Sequence, residues 1–397
     1  YVSNWGLVMS QEMRRYLDNA ATSWPKPESV YVACERTARD IGVAAGRGGY
    51  REAIKGNEMI KRARSLVAGL LGGGDASSVA FASSGTLALN TAIHGLLRPG
   101  DHVIATAADH NATLRPLHSL FCQGVIELDI VPCNERGNVD CELIRAMWKS
   151  STRLLTCSHA SNVTGNLQDA KTMATIAHAN GGVFLLDAAQ TFGHLKHEDF
   201  ACIDADMIAA PAHKWLLGPF GIGFLYVRSG IDIRSLVQGG TGSRSNVLDM
   251  PDEFPDRLEA GTPDLPAIAG MVAAIEWLEE QSISGVAQRC RGLAHDCAKR
   301  LAGMSGVRVT SAAMAEPSND YAPIVSFVVQ GYDTSDVATV LEQVAGIQVR
   351  SGFHCAAKVH SYLGTPESGT VRVSFGPFNT GDDVDAVIQV VNELVVS

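Results

Sequence analysis

The sequence predicts an α/β fold, with a large domain built on a mostly parallel, seven-stranded sheet and a smaller α+β domain after it. Its 397 residues suffice for two or three domains at about 150 residues each. Short apolar runs alternate with amphipathic stretches over roughly 200 residues, a pattern typical of strands and helices that succeed one another along a parallel sheet. After about Gly261 this alternation ends, which indicates a second unit.

The elements of the large unit are predicted from their periodicity. Apolar residues at helical spacing predict a helix over 51–71. Seven apolar runs, several of them without alternation, predict strands that helices cover on both faces. These strands span residues 78–82, 102–107, 125–131, 153–158, 182–187, 206–210 and 223–227.

The last third of the chain predicts a different arrangement. A long helical region is expected over 265–304, and strands are expected over 324–329, 347–350 and 370–374. Thr380 and Asp383 have the spacing of a capping box, which predicts the start of the last helix. We therefore expect a large domain over residues 23–261 and a small domain formed by residues 1–22 and 262–397.

The composition excludes several classes of protein. Hydrophobic residues make up 46% and charged residues 19%, which is typical of a globular chain and not of a disordered one. The 42 Asp and Glu residues outnumber the 32 Lys and Arg residues, so neither nucleic acid nor an anionic membrane is expected as the main partner. No run approaches the roughly 20 apolar residues that span a bilayer.

The cysteines and the start of the chain bear on the compartment. Nine scattered cysteines form no Cys-x-x-Cys pair, so no metal site is expected, and free thiols suit a reducing cytoplasm. Residues 1–15 lack the basic-then-apolar order of a secretory signal. The chain opens with Tyr, and we expect Met9 to be the natural start.

Open parallel sheets bind ligands at the carboxyl ends of their strands, so the residues after each predicted strand are candidates for a site. Ser84, Gly85 and Thr86 follow the first strand and lead directly into an apolar helix. The free N–H groups and the positive dipole end of such a helix suit a phosphate. Taken alone, this segment is equally an ordinary helix cap with a glycine.

Two other strand ends carry charged residues. Asp187 ends an apolar strand, where a carboxylate needs a cation because burial without a partner costs several kcal/mol. Lys214 follows another strand; alone it could be a surface lysine, but desolvation would lower its pKa and make it a nucleophile. The pair matches what pyridoxal phosphate requires, since a lysine forms the Schiff base and an aspartate keeps the ring nitrogen protonated.

Two more polar residues follow predicted strands. His110 comes after the strand over 102–107, and Asn162 comes after the strand over 153–158. A structural histidine and a polar turn are the simpler interpretations of these two residues by themselves.

The small domain adds a cysteine and an arginine. Cys355 lies in a loop next to His354 and near Arg350, neighbours that favour the thiolate, although a buried thiol is the alternative. Arg372 lies within a predicted strand, where its planar fork could bind a substrate carboxylate or form a salt bridge.

Six segments occur in a fixed order from about Tyr16 to the C-terminus: Tyr16-Leu17-Asp18-Asn19-Ala20-Ala21-Thr22, Asp187-Ala188-Ala189-Gln190, His213-Lys214, Gly218-Pro219-x-Gly221-x-Gly223, Glu259-Ala260-Gly261-Thr262-Pro263 and Arg350-x-Gly352-x-His354-Cys355. Together they resemble the class V aminotransferase fold and, within it, the cysteine desulfurases of the NifS/SufS type. The last segment is similar to the group II branch, which includes SufS and selenocysteine lyase.

The resemblance implies the type I fold of pyridoxal-phosphate enzymes, a homodimer and a role for each matching residue. Lys214 would hold the cofactor covalently, Asp187 would pair with its pyridinium nitrogen and Cys355 would accept sulfur. The other implied contacts are Gln190 to the ring hydroxyl, His110 stacked on the ring, Gly85, Thr86 and His213 to the phosphate, Thr262 to the phosphate of the neighbouring subunit, and Asn162, Arg350 and Arg372 to the substrate.

Three residues depart from the family pattern. Pro211 stands where a serine is usual, Leu87 where the SufS branch often has a hydroxyl, and Asn111 where a second histidine is usual. We therefore expect the phosphate to be anchored differently in detail.

The resemblance implies a cysteine desulfurase. L-cysteine would give L-alanine and a persulfide on Cys355. An acceptor protein would then receive the sulfur of this persulfide. Lys214 would remove the Cα proton, and His110 would handle the proton of the substrate thiol. The alternatives are selenocysteine lyase or another C–S or C–Se lyase without a persulfide, an ordinary transaminase, and a cofactor-binding scaffold for a sulfur carrier.

Overall fold

A computed structural model describes residues 14–45, 48–243, 246–314 and 321–396. The strands are β1 Arg15–Tyr16, β2 Val79–Ala82, β3 His102–Thr106, β4 Glu127–Val131, β5 Thr152–Ser158, β6 Val183–Asp187, β7 Met207–Pro211, β8 Gly223–Val227, β9 Val307–Val309, β10 Ile324–Val329, β11 Ile347–Gln348, β12 Arg350–Gly352 and β13 Thr370–Ser374. The α-helices are α1 Glu28–Arg36, α2 Arg51–Leu70, α3 Gly85–Leu96, α4 Asn111–Cys122, α5 Cys141–Met147, α6 Ala170–Ala179, α7 His197–Ile203, α8 Leu265–Glu280, α9 Ile283–Ala302, α10 Thr334–Ala345, α11 Ala357–Tyr362 and α12 Gly381–Val396.

The large sheet has seven strands in the order β2-β8-β7-β6-β5-β3-β4. All neighbours are parallel except β8, which runs antiparallel to both β2 and β7. The mostly parallel α/β fold predicted from the sequence is therefore confirmed. Because Leu185 packs into one apolar cluster while Phe184 and Leu186 pack into another, both faces of β6 are buried. Burial on both faces explains why the strand sequences lack alternation.

A second sheet, with the order β12-β13-β10-β9, is antiparallel throughout. Its core takes in Leu17, β13 and apolar residues of α9, α10 and α12. The amino-terminal segment joins this layer, because Arg15 pairs with Ile347 in the two-stranded β1-β11 sheet and Asp18 bridges to Ser374.

Two predicted elements of the last third are divided. The helical region over 265–304 is two helices, because Ser282 has a φ of 64° and accepts the Gly285 N–H as the cap of α9. The strand over 347–350 is divided between β11 and β12, which belong to different sheets. In the last helix, the Asp383 carboxylate accepts the Thr380 N–H at 3.0 Å, as the capping pattern predicts.

Helix α8 packs in the core of the large layer, against α1 and α2. The division of the chain into a large domain over residues 23–261 and a small domain formed by residues 1–22 and 262–397 stays a prediction. In the part of the chain that the structure describes, no helix has the length and apolar character needed to cross a membrane.

Candidate active site

A cavity of about 220 Å³ opens at the carboxyl ends of β5, β6 and β7, where the starts of α3 and α4 meet the small layer. All the site residues predicted from the sequence line this cavity except Cys355 and Thr262. The lining set is Gly85, Thr86, His110, Asn162, Asp187, Gln190, His213, Lys214, Arg350 and Arg372. The position at the strand ends is where open parallel sheets bind ligands.

Asp187 ends β6 and is 4% exposed. Its Oδ1 accepts the Ala189 N–H at 2.9 Å, and its Oδ2 lies 3.5 Å from the Ser158 hydroxyl. Burial raises the pKa of Asp187. Among the described residues no cation comes within ion-pair distance of it, so a buried carboxylate faces the cavity without a counter-charge.

Lys214 follows β7 and keeps some exposed surface, which opens into the cavity. Burial lowers the pKa of Lys214 to about 8; Asp187 acts against this shift, while Arg372 and Arg350 add to it. A fraction of the amine is therefore neutral near pH 7, the form that attacks a carbonyl carbon.

The first turn of α3 forms another wall. Ser84 caps the helix by accepting the Leu87 N–H at 3.1 Å, and Gly85 and Thr86 follow it at the positive end of the helix. A Cβ at Gly85 would lie 2.9 Å from Pro211 Cδ. The proline therefore packs where a side chain would otherwise stand, and the backbone N–H groups of this turn remain for an anion.

Three buried polar atoms of cavity residues have no hydrogen-bond partner among the described residues: His213 Nδ1, His354 Nδ1 and Arg372 Nε. Buried polar groups are normally paired, so such orphans at one cavity indicate a polar ligand. Asp187 without a counter-charge, the lysine and the helix start complete a set of polar groups that fits pyridoxal phosphate, which carries an aldehyde, a basic ring nitrogen and a phosphate.

His110 caps α4, and its Nδ1 accepts the Ala112 N–H at 3.0 Å. Burial, followed by the positive charges of Lys214, Arg350 and Arg372, lowers the pKa of His110 to about 3. The ring is therefore neutral. Because Nδ1 is the acceptor, the proton is assigned to Nε2, and His110 offers the cavity a donor.

Gln190 lies in the turn after β6 and is 3% exposed. Its Oε1 accepts the Trp215 indole N–H at 2.6 Å, and its Nε2 donates to the Ala20 carbonyl at 3.1 Å. The amide is held from two sides beside the cavity.

Arg372 lies on β13 and is 1% exposed. Its Nη2 donates to Asp18 Oδ1 at 2.5 Å, and its Nη1 donates to the Asn162 carbonyl at 3.0 Å. The salt-bridge interpretation of Arg372 is thus correct, and the residue also lines the cavity. The guanidinium carries more N–H donors than these two contacts use, so it can still bind a carboxylate.

Cys355 is partly exposed and lies in a loop whose residues 354 and 355 have positive φ angles of 50° and 60°. Arg350 Nη2 is 3.2 Å from its Sγ. Two contacts tie the loop to the large layer: Asn111 N–H donates to the Cys355 carbonyl at 2.8 Å, and Asn162 Nδ2 donates to the His354 carbonyl at 2.5 Å.

His354 was expected to favour the Cys355 thiolate, and this expectation is wrong. The ring is buried, and its Nε2 lies 3.0 Å from both the carbonyl and the hydroxyl oxygen of Thr370. Burial lowers the pKa of His354 well below its usual value, so the ring is neutral. Arg350 is the cation that remains next to the sulfur.

Thr262 is exposed and lies outside this cavity, along a neighbouring cavity of about 260 Å³. Its segment is anchored through Glu259, which accepts from both Nη atoms of Arg64 at 2.6 Å. The contact of Thr262 with the phosphate of a neighbouring subunit stays a prediction.

Sequence reasoning missed two residues that support the strand ends. Ser158 ends β5 and contacts Asp187, while Asp109, fully buried, accepts the backbone N–H groups of Thr106 and Ser158. An acidic residue directly before His110 was the available signal. Asp18 was visible only as part of a motif and Trp215 only as the residue after Lys214, since their partners are distant in sequence.

Comparison with known proteins agrees with this geometry. A family model for class-V aminotransferases matches residues 15–387. A probable cysteine desulfurase of Methanothermobacter thermautotrophicus is 32% identical over 389 residues, covering 96% of this chain and 94% of the relative. The cysteine desulfurase CsdA of Escherichia coli is 32% identical over 395 residues, with the same two coverages.

Solved structures give the same result. The apo structure of a cysteine desulfurase from Thermococcus onnurineus is similar with a TM-score of 0.88 and 28% identity, covering 97% of this chain and 95% of that one. The crystal structure of Escherichia coli CsdA, with an S-sulfonic acid, is similar with a TM-score of 0.84 and 31% identity, covering 97% and 96%.

Proposed function

The chain belongs to the class-V aminotransferase family, and we propose that it is a cysteine desulfurase that moves the sulfur of L-cysteine to Cys355 and from there to an acceptor. The observation that carries the proposal is the contact of 3.2 Å between Arg350 Nη2 and Cys355 Sγ, beside a cavity that holds Lys214 and an Asp187 without a counter-charge. The guanidinium thus holds the sulfur atom that would attack the sulfur of the substrate.

The family depends on pyridoxal phosphate, and the residues of the cavity fit this cofactor. Lys214 would hold it covalently, Asp187 would face its ring nitrogen, and the α3 start with His213 would bind its phosphate. Gln190 and His110 would contact the ring. When bound, pyridoxal phosphate supplies an electron sink for charge that develops on the substrate carbon.

The substrate is oriented by the small layer. Arg372, fixed by Asp18, would bind the carboxylate of L-cysteine with N–H groups that remain free, and Asn162 holds both Arg372 and the Cys355 loop in place. One asparagine therefore couples the position of the substrate to that of the sulfur acceptor.

Lys214 Nζ and His110 Nε2 would transfer protons to and from the substrate. With a pKa of about 8, the lysine can both take a proton from Cα and return one near neutral pH. His110 holds a proton at Nε2 as long as Nδ1 accepts from Ala112. It is therefore poised as a donor, and to accept the proton of a substrate thiol it would have to release Ala112.

Cys355 would take the sulfur. A bond forms between its Sγ and the substrate sulfur as the substrate C–S bond breaks. The electron pair of the broken bond stays on the three-carbon product, which takes up a proton and leaves as L-alanine. The persulfide then passes its terminal sulfur to a thiol of the acceptor.

We further propose a homodimer in the cytoplasm. Thr262 is exposed and lies outside the cavity that holds Lys214 of its own chain, as a residue that serves a partner subunit would. All nine cysteines are free, which supports a reducing compartment.

The function is tested with Cys355→Ala and with Cys202→Ala as the matched control, since Cys202 is an exposed cysteine on α7. We expect Cys355→Ala to keep the absorbance of bound pyridoxal phosphate but to lose alanine formation from L-cysteine by at least about 100-fold, while Cys202→Ala behaves as the wild type. Full cysteine-dependent sulfide release by Cys355→Ala would instead assign the chain to the lyases without a persulfide.

A further inference from the structure

Trp215, which directly follows the lysine of the cavity, is the largest of the fully buried side chains and is 1% exposed. A buried indole N–H needs an acceptor, because leaving it unpaired costs more than a hydrogen bond gains. Here the acceptor is Gln190 Oε1 at 2.6 Å. The side chain next to Lys214 is thus joined to the turn that follows Asp187.

This contact fixes which way the Gln190 amide points. The indole N–H can only donate and the Ala20 carbonyl can only accept, so Oε1 must face Trp215 and Nε2 must face Ala20. The network therefore assigns the two ends of the amide. One N–H of Nε2 remains, and Gln190 can offer a ligand in the cavity a donor.

The indole itself is held in place. The His194 ring packs on it with centroids 4.3 Å apart, and His194 stays neutral because burial lowers its pKa to about 3. Gly193 has a φ of 98°, and a Cβ there would lie 2.4 Å from the Trp215 carbonyl oxygen. The turns after β6 and β7 are therefore packed too closely for the indole to rotate freely.

We propose that Trp215 is a positioning residue that fixes the Gln190 amide so that an N–H, and not the carbonyl oxygen, faces the ring hydroxyl of pyridoxal phosphate. The proposal rests on the proposed function for the identity of the cofactor. A donor at this place stabilises the ionised hydroxyl and lowers its pKa. Without the indole N–H, only the Ala20 carbonyl still holds the amide, so the N–H faces the ring less firmly and part of this stabilisation is lost.

The other charged and titratable groups around the cavity stay unchanged in the test. They are Asp187, Lys214, His110, His213, His354, Arg350 and Arg372, with His194 packed on the indole. Any difference between variants that alter only Trp215 and Gln190 therefore reports on these two side chains.

The test compares the absorbance of bound pyridoxal phosphate as a function of pH in the wild type, Trp215→Phe, Gln190→Ala and the double variant. Trp215→Phe keeps an aromatic ring and removes the N–H. We expect the pH midpoint to rise by roughly half a unit to one unit in both single variants, the equivalent of one hydrogen bond. The double variant should shift no further than Gln190→Ala alone, because Trp215 acts through Gln190.

Two further proteins complete the design. Trp277→Phe, a half-buried tryptophan of α8 that packs on Phe378, should leave the midpoint unchanged. Benzothienylalanine at position 215 keeps the shape of the indole and removes only the N–H, so it replaces Trp215→Phe should that variant fail to fold.

An unchanged midpoint with Trp215→Phe or benzothienylalanine, or additive shifts in the double variant, would overturn the proposal. Neither result would touch the proposed function, which is tested separately by alanine formation from L-cysteine in the wild type and by its loss in Cys355→Ala. Conversely, a raised midpoint in an enzyme without desulfurase activity would support the positioning role and reject the proposed reaction.

Discussion

The two halves of the candidate site are built in different ways. Asp187 ends a buried strand and is paired with Ala209 of the neighbouring parallel strand, which ends at Pro211 shortly before Lys214. Cys355 is held by a loop with two left-handed residues and by two hydrogen bonds from the large layer. The strand ends thus provide a rigid pocket, which we propose binds the cofactor, while the loop brings Cys355, the proposed sulfur acceptor, to it. Changes to one half should therefore spare the other.

The largest effect is expected from a change in the strand-end half of the site, the half that contains Asp187 and Lys214. Lys214→Ala removes the amine that would hold the cofactor and move the Cα proton, so we expect the absorbance of bound pyridoxal and at least about 1000-fold of the turnover to be lost. Alkylation of Cys355 by iodoacetamide should still occur, since Arg350 is untouched. Normal spectra in this variant would refute the assignment of Lys214.

The next effect concerns Arg372 of the small layer, the arginine that would bind the substrate carboxylate. Asp18→Asn leaves the buried Arg372 without its counter-charge, and we expect the free energy of unfolding to fall by about 1–3 kcal/mol, because removing one partner of a buried pair exposes the desolvation cost of the other. The KM for L-cysteine should change more than kcat, since Arg372 then orients the carboxylate less well. Chemical denaturation and steady-state kinetics measure the two effects.

Asp385→Asn is the matched control for that variant, because Asp385 pairs with Arg300 where both side chains are exposed. A change of less than about 0.5 kcal/mol is expected there. An equal loss in the two variants would mean that the Asp18–Arg372 pair contributes no more than a surface pair.

A smaller effect is expected in the loop half of the site, the half that contains Cys355. Arg350→Gln removes the cation at 3.2 Å from the sulfur, so we expect alkylation of Cys355 near pH 7 to slow by about 3- to 10-fold, the effect of losing one charged hydrogen bond at a partly exposed group. The absorbance of the bound cofactor should stay the same. Arg145→Gln, on the exposed side of α5, is the control. Unchanged alkylation in Arg350→Gln would show that the arginine does not activate the thiol.

The smallest effect concerns the pH dependence of stability, to which a buried histidine near the strand ends contributes. His159 is fully buried and bonded to Thr191, and burial lowers its pKa to about 4. Since the unfolded histidine titrates near 6.5, the unfolded state takes up a proton first and stability is lost as the pH falls from about 6.5 to 4. His159→Gln should therefore lose roughly 1–2 °C less in Tm between pH 7 and pH 5 than the wild type.

His118→Gln, at an exposed position of α4, should follow the wild-type pH dependence. A His159→Gln profile that also follows the wild type would mean that this ring adds nothing to acid destabilisation.

The strand-end half could be predicted from sequence because apolar runs mark buried strands and polar residues at their ends share one edge of the sheet. Asp187 and Lys214 were found in this way. The partners Asp18 and Arg372 were not paired beforehand, since they are 354 residues apart. The neutral state of His354 also could not be predicted, because it depends on burial by the small layer. The division between α8 and α9 at Ser282 could not be predicted from the sequence. A φ of 64° usually occurs at glycine, and this position is a serine.

The central claim is that Cys355 receives the substrate sulfur beside the pocket of Lys214. The most direct test is mass spectrometry of the peptide containing Cys355 after the enzyme, loaded with pyridoxal phosphate, is mixed with L-cysteine and no acceptor. We expect one added sulfur on that peptide and an equal amount of alanine per chain. Alanine formation without added sulfur on Cys355, or sulfur on another cysteine in its place, would contradict the claim.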